Sequence, residues 1–544
     1  MQLVAYGAQD VYLSGNPQIT FFKVVYRRHT NFSVEPIEQT WNGNAILGNQ
    51  ITCNINRNGD LITHMYVIVS LKAITNTDGN TIPWGYVNKL GHSLISDYKV
   101  DIGGSKIDEQ YGDWLNIWYE LSHKTGQENA YAQMIGDTPE LKNISLTKPA
   151  TVLYIPLQFW FNRNNGLALP LIALQYHEVR ITVTFRDASV CVNYLGSVLP
   201  SNVTASLMTE SILLIDYVYL DSEERKRFAQ ASHEYLIEQL QFSGSETFSG
   251  STNKFRLQFN HPSKYLIWVS NLHQYISSKQ YISYATDSSK WKIALDNFAI
   301  IIAAANAPGL GFDNTGYYCS TGTNFPPEDI IDLSKLYTNL TPIMNAELLS
   351  KFTVQFIAQP GSTNNHTVLA INASQLINNA FVTSNNLTIK DISVSITQLL
   401  TNNNTLITGI PAQLLNSFAI SIIDYSNYGL YLDGRGNTCL TAKIQLNGHD
   451  RFTTRDGNYF NYVQPYQHFS NTPVDGINVY SFALKAEEHQ PTGTCNFSRI
   501  DNATLFLTVD PNVLSDKKTL LNIYAVNYNV LRVMSGMGAI AYNN

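Results

Sequence analysis

Charge is scarce in this 544-residue chain: Asp, Glu, Lys and Arg make up 14% of it, against about a quarter in an ordinary soluble domain. The formal charge is −7, and the basic clusters are no longer than Arg27-Arg28 and Arg225-Lys226-Arg227. That balance excludes a protein whose main work is neutralising phosphates, so no direct nucleic-acid partner is expected. Cysteine is sparse too. Cys53, Cys191, Cys319, Cys439 and Cys495 are odd in number, widely separated and free of any CxxC pair, which predicts buried free thiols in a reducing compartment and no disulfide framework. No long apolar run exists either; FAIIIAAA at 298–305 falls far short of a bilayer span. The start, MQLVAYGAQD, has neither a basic n-region nor an apolar h-region, which predicts synthesis in a cytosol without the usual secretory route.

Signatures of catalysis are missing as well. None of the 12 histidines stands in an HxH or HExxH arrangement, and there is no GxxxxGK loop and no GxSxG elbow. GMGAIA at 536–541 matches a dinucleotide fingerprint in letters only, because no helix or second strand follows it. Glu487-Glu488-His489 resembles an acid and base cluster of the kind that serves glycoside hydrolysis, but nothing else in the sequence places a sugar site, and a charged turn is preferred. His449-Asp450-Arg451 follows a hairpin glycine, where a polar turn is ordinary. Tyr459, Phe460, Tyr462 and Tyr466 have faces that could stack on sugars, yet fit core or interface positions better. No catalytic, cofactor-binding or metal-binding residue is therefore predicted, and the chain is not expected to be an enzyme.

What is abundant is apolar and aromatic surface: 44% hydrophobic residues and 12% aromatics in a chain too long for one hydrophobic core. Strand signals dominate, among them MYVIVSL (65–71), ITVTF (181–185), KFRLQF (254–259), YLIWVS (265–270), SFAISII (417–423) and TLFLTV (504–509). Helical spacing of Trp114, Ile117, Trp118 and Leu121 predicts a short helix within 111–123. Another starts at Asp221, with Glu224 placed to complete a capping box.

The order of these patterns occurs twice. ILGNQITCNI leads through RNGD into MYVIVSL, and TFSGSTNKFRLQF leads through NHPSK into YLIWVS. A tight hairpin follows in each pass, at Gly103-Gly104 and at Asn447-Gly448. Then come an aromatic stretch, DWLNIWYELSH or YFNYVQPYQHF, and a closing pair of strands. Landmarks repeated in one order indicate a duplicated β domain. From Tyr66 to Gly103 is 37 residues and from Leu266 to Asn447 is 181, so the second copy carries a large insertion, roughly 285–430, rich in Asn, Thr, Ser and Gly. The predicted fold class is all-β: two tandem sandwiches of jelly-roll type, about eight strands each, with long loop insertions and a short linking helix.

Four blocks, GNPQITFFKVVYRRHTNFSVEP from residue 15, IGGSKIDEQYGDWL, YLDSEERKRFAQASHEYLIEQLQ and INVYSFALKAEEHQPTGTCNFSRIDNATL, resemble the major capsid protein of the nucleocytoplasmic large DNA viruses. The resemblance implies a double jelly roll divided into an N-terminal arm (1–26), a first jelly roll (27–220), a linking helix (221–234) and a second jelly roll (235–544). It implies trimers forming pseudo-hexameric capsomers that tile an icosahedral virion shell, with minor capsid and penton proteins, an inner membrane nearby, assembly in the host cytoplasm and possible surface glycans. In the opening block Phe21, Phe22 and Tyr26 are expected to pack inward, with Arg27 and Arg28 meeting partners at a subunit boundary. The competing readings are a carbohydrate-binding or host-attachment β-sandwich protein and a sandwich-fold glycosidase.

Overall fold

A computed structural model describes residues 7–75, 84–142, 147–194, 201–204, 207–272, 282–285, 436–514 and 518–542, together with five strands between 310 and 424. Period-two alternation decides each strand's inner face. Leu213, Ile215 and Tyr217 turn inward from one strand and meet Ile181 and Val183 from the facing sheet, all of them fully buried in one core.

Eight strands form the first unit: β1 (Phe32–Gln39), β2 (Gln50–Asn54), β3 (Leu61–Leu71), β4 (Ile95–Ile102), β5 (Ser105–Tyr111), β6 (Thr151–Pro156), β7 (Val179–Phe185) and β8 (Met208–Leu220). They pair antiparallel as β1-β8-β3-β6 in one sheet and β2-β7-β4-β5 in the other. Helix α1 (Gly112–Ser122) leaves the end of β5, and helix α2 (Ser222–Gln230) follows β8.

The second unit repeats this topology with β9 (His233–Thr247), β10 (Thr252–Arg256), β11 (Pro262–Asn271), β12 (Cys439–Leu446), β13 (His449–Asp450), β14 (Asn478–Ser481), β15 (Ala503–Val509) and β16 (Leu520–Met534). Its sheets run β9-β16-β11-β14 and β10-β15-β12-β13, so each strand has the neighbours of the strand eight numbers earlier. Two facing sheets, each with a path of four strands in this order to which short strands add at the side, make a jelly roll, and the chain holds two. Between β5 and β6 the first unit has α1; between β13 and β14 the second has a π-turn, Tyr459–Val463, running into helix α3 (Gln464–His468). A final strand, β17 (Met537–Ile540), folds back on β16.

The insertion lies between β11 and β12. Its strands pair antiparallel in the order Leu310–Asp313, Gly316–Ser320, Phe418–Asp424, Phe352–Ala358, Thr367–Asn372, a sheet separate from both jelly rolls. KFRLQF is strand only as far as Arg256, although Leu257 and Phe259 still reach the second core. Cys53, Cys191 and Cys439 are buried thiols outside any disulfide, as expected, Cys495 is likewise in no disulfide but half-buried, and the side chain of Cys319 lies outside the described residues.

The hairpin residues stand where the turn chemistry requires them. Gly103 and Gly104 have φ of 57° and 84°, and Asn447 and Gly448 have 50° and 80°, the paired left-handed geometry of a type I′ turn. At Asp221 the side chain accepts from the backbone N–H of Glu223 (3.1 Å) and of Glu224 (2.9 Å), so α2 begins where the capping pattern puts it. Arg225 reaches back to Asp60 at 2.9 Å, and Asp60 also accepts from Leu220 N–H at 3.0 Å, which ties the linking helix to the turn before β3.

The two hairpin glycines differ in surroundings. A Cβ at Gly103 would strike the His177 ring, which contacts Gly538 of β17, whereas one at Gly448 meets open space. Gly448→Ala should cost about 1–2 kcal/mol from left-handed strain alone. Gly103→Ala should cost clearly more and loosen β17, read as a larger drop in urea midpoint and faster amide exchange at 537–540; equal losses in the two variants would refute the contact.

Candidate interface site

The outer face of a jelly-roll sheet usually meets water, but in the second unit it is apolar. Inward from β11 and β16 point Leu266, Trp268, Ile523 and Ala525, which belong to the second core. The alternate residues Tyr265, Ile267, Val269, Tyr524 and Val526 point the other way and are equally buried. Helix α1 of the first unit covers them: Trp114, Ile117 and Leu121 lie in the same cluster, with Leu240 and Phe242 of β9 at its margin. The helical spacing of these residues predicted the helix; that it serves the other jelly roll is a tertiary fact.

Beside this apolar seam lies a buried charge cluster. Glu238 on β9 meets Lys264 on β11 at 2.7 Å, Arg163 of the first unit at 3.1 Å and His489 at 3.5 Å. Burial by itself would raise the Glu238 carboxyl, but Arg163, His489 and Lys264 outweigh it and hold the group at about 2. Burial pulls the Lys264 ammonium below its ordinary value even with Glu238 beside it. Arg163 also sits 4.6 Å from the Trp118 ring centroid, so α1 is fixed to the cluster. The cleft over these groups, about 340 Å³, is lined by Trp118, Trp160, Arg163, Glu238, Glu487 and His489.

A second buried carboxyl bridges the units. Asp108 on β5 accepts from Leu240 N–H of β9 at 3.0 Å and from the Gln110 amide at 2.8 Å, while the Gln239 amide donates to the carbonyl of Ile107. Burial pushes Asp108 up to about 7 against these hydrogen bonds.

The N-terminal segment has the opposite character. Residues 7–36 are all exposed, and Phe21, Phe22 and Tyr26 are 90%, 98% and 84% exposed, so the expected inward packing of these aromatics does not occur. Strand pairing begins only at Phe32, which leaves the preceding residues no sheet or core of their own chain to enter. Arg27 and Arg28 are likewise exposed, with no ion pair among the described residues. Exposed aromatics in such number are uncommon on a surface that meets only water.

Two family models match the chain: the major capsid protein N-terminus over residues 20–221 and the large eukaryotic DNA virus major capsid protein over residues 224–539. The chain belongs to the major capsid proteins of large eukaryotic DNA viruses. It is 41% identical to capsid protein 1 of Acanthamoeba polyphaga mimivirus, over all of this chain and 99% of that relative. It is 37% identical to the major capsid protein of Paramecium bursaria Chlorella virus 1, again over all of this chain and 99% of the relative. A chain from a quasi-atomic model of the PBCV-1 virus capsid superposes with a TM-score of 0.60 at 33% identity, covering 96% of this chain and 100% of that one. The Faustovirus major capsid protein shares the fold, with a TM-score of 0.61 at 12% identity over 97% of this chain and 94% of that one. The family is one of structural capsid proteins and not of enzymes.

Within this capsid fold the residue groups that imitate catalytic sites are taken apart. Glu487 accepts from Ser470 N–H at 2.7 Å and His489 turns to Glu238, both at the edge of the one cleft, whereas Glu488 pairs with Lys485 at 2.6 Å outside its lining, so the run of three does not act as one group. Asp450 pairs with Lys443 at 3.0 Å and Gln445 at 3.1 Å on the exposed hairpin. Phe460 enters the second core and Tyr466 points into solvent. No cluster of three or more metal-ligating side chains occurs among the described residues. Sequence reasoning missed Arg163, Glu238, Lys264 and Asp108, which lie far apart in the chain; for the last three the one available signal was charge placed within strands of a charge-poor protein, and Arg163, at the end of a short helix, gave none.

Glu238→Gln leaves Arg163 and Lys264 buried without their counter-charge, and should destabilise the chain by about 3–5 kcal/mol in denaturant titration. For Asp108 the folded-state value lies above the unfolded one, so the folded chain binds the extra proton between about pH 4 and 7, and this group's contribution to stability declines as pH rises through that window. Asp108→Asn should therefore gain melting temperature relative to the parent as pH goes from 5 to 8; a parallel pair of pH profiles would sink the assignment.

Proposed function

We propose that this chain is the repeating unit of a large icosahedral virion shell, three copies associating into a capsomer of six jelly rolls with pseudo-hexagonal outline. Its role is assembly, without bond chemistry, and its place is the capsid. The observation that carries this reading is the doubling: two jelly rolls of the same strand order lie in one chain, joined through a buried seam. Three such chains present six similar walls to their neighbours while keeping the closure of a simple three-fold. Low charge with abundant aromatics suits large obligate contacts, which bury upwards of about 2,000 Å².

In this reading residues 1–26 are an arm, 27–220 the first jelly roll, 221–234 the linking helix and 235–544 the second jelly roll with its insertion at about 285–430. The arm's exposed Phe21, Phe22 and Tyr26 find cover against neighbouring capsomers or minor capsid and penton proteins low in the shell, above an inner membrane. Arg27 and Arg28 meet acidic or backbone partners there. The insertion, projecting from the second jelly roll, is the surface that carries any glycan.

Light scattering on the eluted protein should give a mass near three chains at micromolar concentration, and electron micrographs should show pseudo-hexagonal particles. A persistent monomer under those conditions would falsify the reading.

A further inference from the structure

Beside helix α1 an amine, an amide and a carboxylate meet. Lys89 Nζ donates to Asn116 Oδ1 at 2.6 Å and to Glu120 Oε1 at 2.5 Å. Asn116 and Glu120 stand four residues apart on α1 and so share one face of it, while Lys89 arrives from the turn before a short helix, Leu90–Leu94. None of the three belongs to the apolar cluster or the charge cluster that joins the jelly rolls.

Each member is held in place. A Cβ at Gly112, the first residue of α1, would strike the carbonyl oxygens of His92 and Ile95, so the helix starts hard against the stretch of chain that follows Lys89. Lys89 itself has φ of 45°, a left-handed value that residues with side chains avoid, and Asp137 holds it there by accepting its backbone N–H at 3.0 Å. Water is largely shut out. Asn116 is fully buried, and the side chains of Lys89 and Glu120 are only 23% and 12% exposed. Lys89 Nζ lies 6.0 Å from the centre of the Tyr119 ring, which stacks on Tyr131, and the Tyr131 hydroxyl meets the Nε2 of buried His92 at 2.7 Å.

An ordinary ion pair accounts for Lys89 and Glu120 but not for Asn116. The Asn116 amide nitrogen is buried with no hydrogen-bond partner among the described residues, a costly state for a group with two hydrogens to donate. The second unit shows the contrast. Asn461 follows the core residue Phe460 as Asn116 follows the core residue Leu115, and it too is fully buried. Its Oδ1 accepts from Gly476 N–H at 2.7 Å and its Nδ2 donates to the Val474 carbonyl at 3.4 Å, so both ends of that amide are engaged. Four residues beyond it stands Pro465 and no acid. One buried asparagine ties two backbone segments together; the other faces an amine with a base beside it.

We propose that Lys89 and Asn116 join in an intramolecular isopeptide bond, with Glu120 as the catalytic residue. Glu120 takes a proton from the Lys89 ammonium, and the lone pair of the neutral amine attacks Asn116 Cγ. The Nζ–Cγ bond forms, the Cγ–Nδ2 bond breaks, and the departing nitrogen takes up the proton from Glu120 and the surplus proton of the attacking nitrogen. Overall a lysine ammonium and a primary amide become a secondary amide and an ammonium ion, with nothing oxidised or reduced and no further reactant. An amine at hydrogen-bond distance from the amide oxygen is within near-attack reach of its carbon, and a desolvated lysine beside a carboxylate is an activated nucleophile. The bond lies within one chain and does not depend on the assembly proposed above. It fastens α1, the helix that covers the second jelly roll, to the loop that leads into β4.

Mass spectrometry of the full chain tests this. The folded protein, denatured for measurement, should weigh about 17 Da less than its sequence, the mass of one ammonia. Trypsin should release a branched peptide in which residues 73–99, uncut after Lys89, are joined to residues 107–124. Lys89→Arg and Glu120→Gln, each with the parent's circular dichroism, should return to full mass and release the 107–124 peptide alone. A parent of full mass whose digest yields a peptide ending at Lys89 overturns the proposal, and that result requires no variant to fold. An ammonia loss that persists in Lys89→Arg also overturns it, because the loss then arises elsewhere, as in a succinimide. A branched peptide that survives in Glu120→Gln overturns the role of Glu120.

Discussion

Everything larger in this molecule depends on helix α1 lying across the outer face of the neighbouring sheet. A jelly roll needs only its inner faces to fold, and an outer face in water is normally polar. Here Tyr265, Ile267, Val269, Tyr524 and Val526 make that face apolar, so the second jelly roll is incomplete until Trp114, Ile117 and Leu121 cover it. The cover comes from the first jelly roll, and for that reason the two cannot move independently.

Buried charge refines the same seam. Arg163 belongs to one unit, Glu238 and Lys264 to the other, and each group would be costly to bury alone. Docking satisfies all of them together, which favours one relative placement of the units over others of similar apolar area. Asp108 acts in the same way at the strand edge, where Leu240 N–H needs an acceptor. A shell built from repeated contacts requires such fixed angles, because small errors accumulate from unit to unit.

Much of the fold was legible because its signals are local. Type I′ turns at Gly103-Gly104 and Asn447-Gly448 depend on the φ tolerance of two residues, and the start of α2 on one carboxylate that accepts from the backbone N–H groups two and three residues on. The doubled order of landmarks reflects a doubled topology, strand for strand. Illegible were the contacts across distance. Phe21, Phe22 and Tyr26 were expected inside because aromatics usually are, but no strand carries them to a core, and they remain outside. KFRLQF ran past its strand end because burial of Leu257 and Phe259 persists after pairing has stopped.

By itself the sequence determined the class of structure, the repeat, the turns, the linking cap and the lack of catalytic groupings, since each follows from residue type and short spacing. Tertiary structure alone decided which faces meet. Whether Leu121 covers its own unit or another, or whether Glu487 and His489 share a site or diverge, depends on where distant strands bring them. Periodicity assigns a residue to a face; only packing assigns that face a partner.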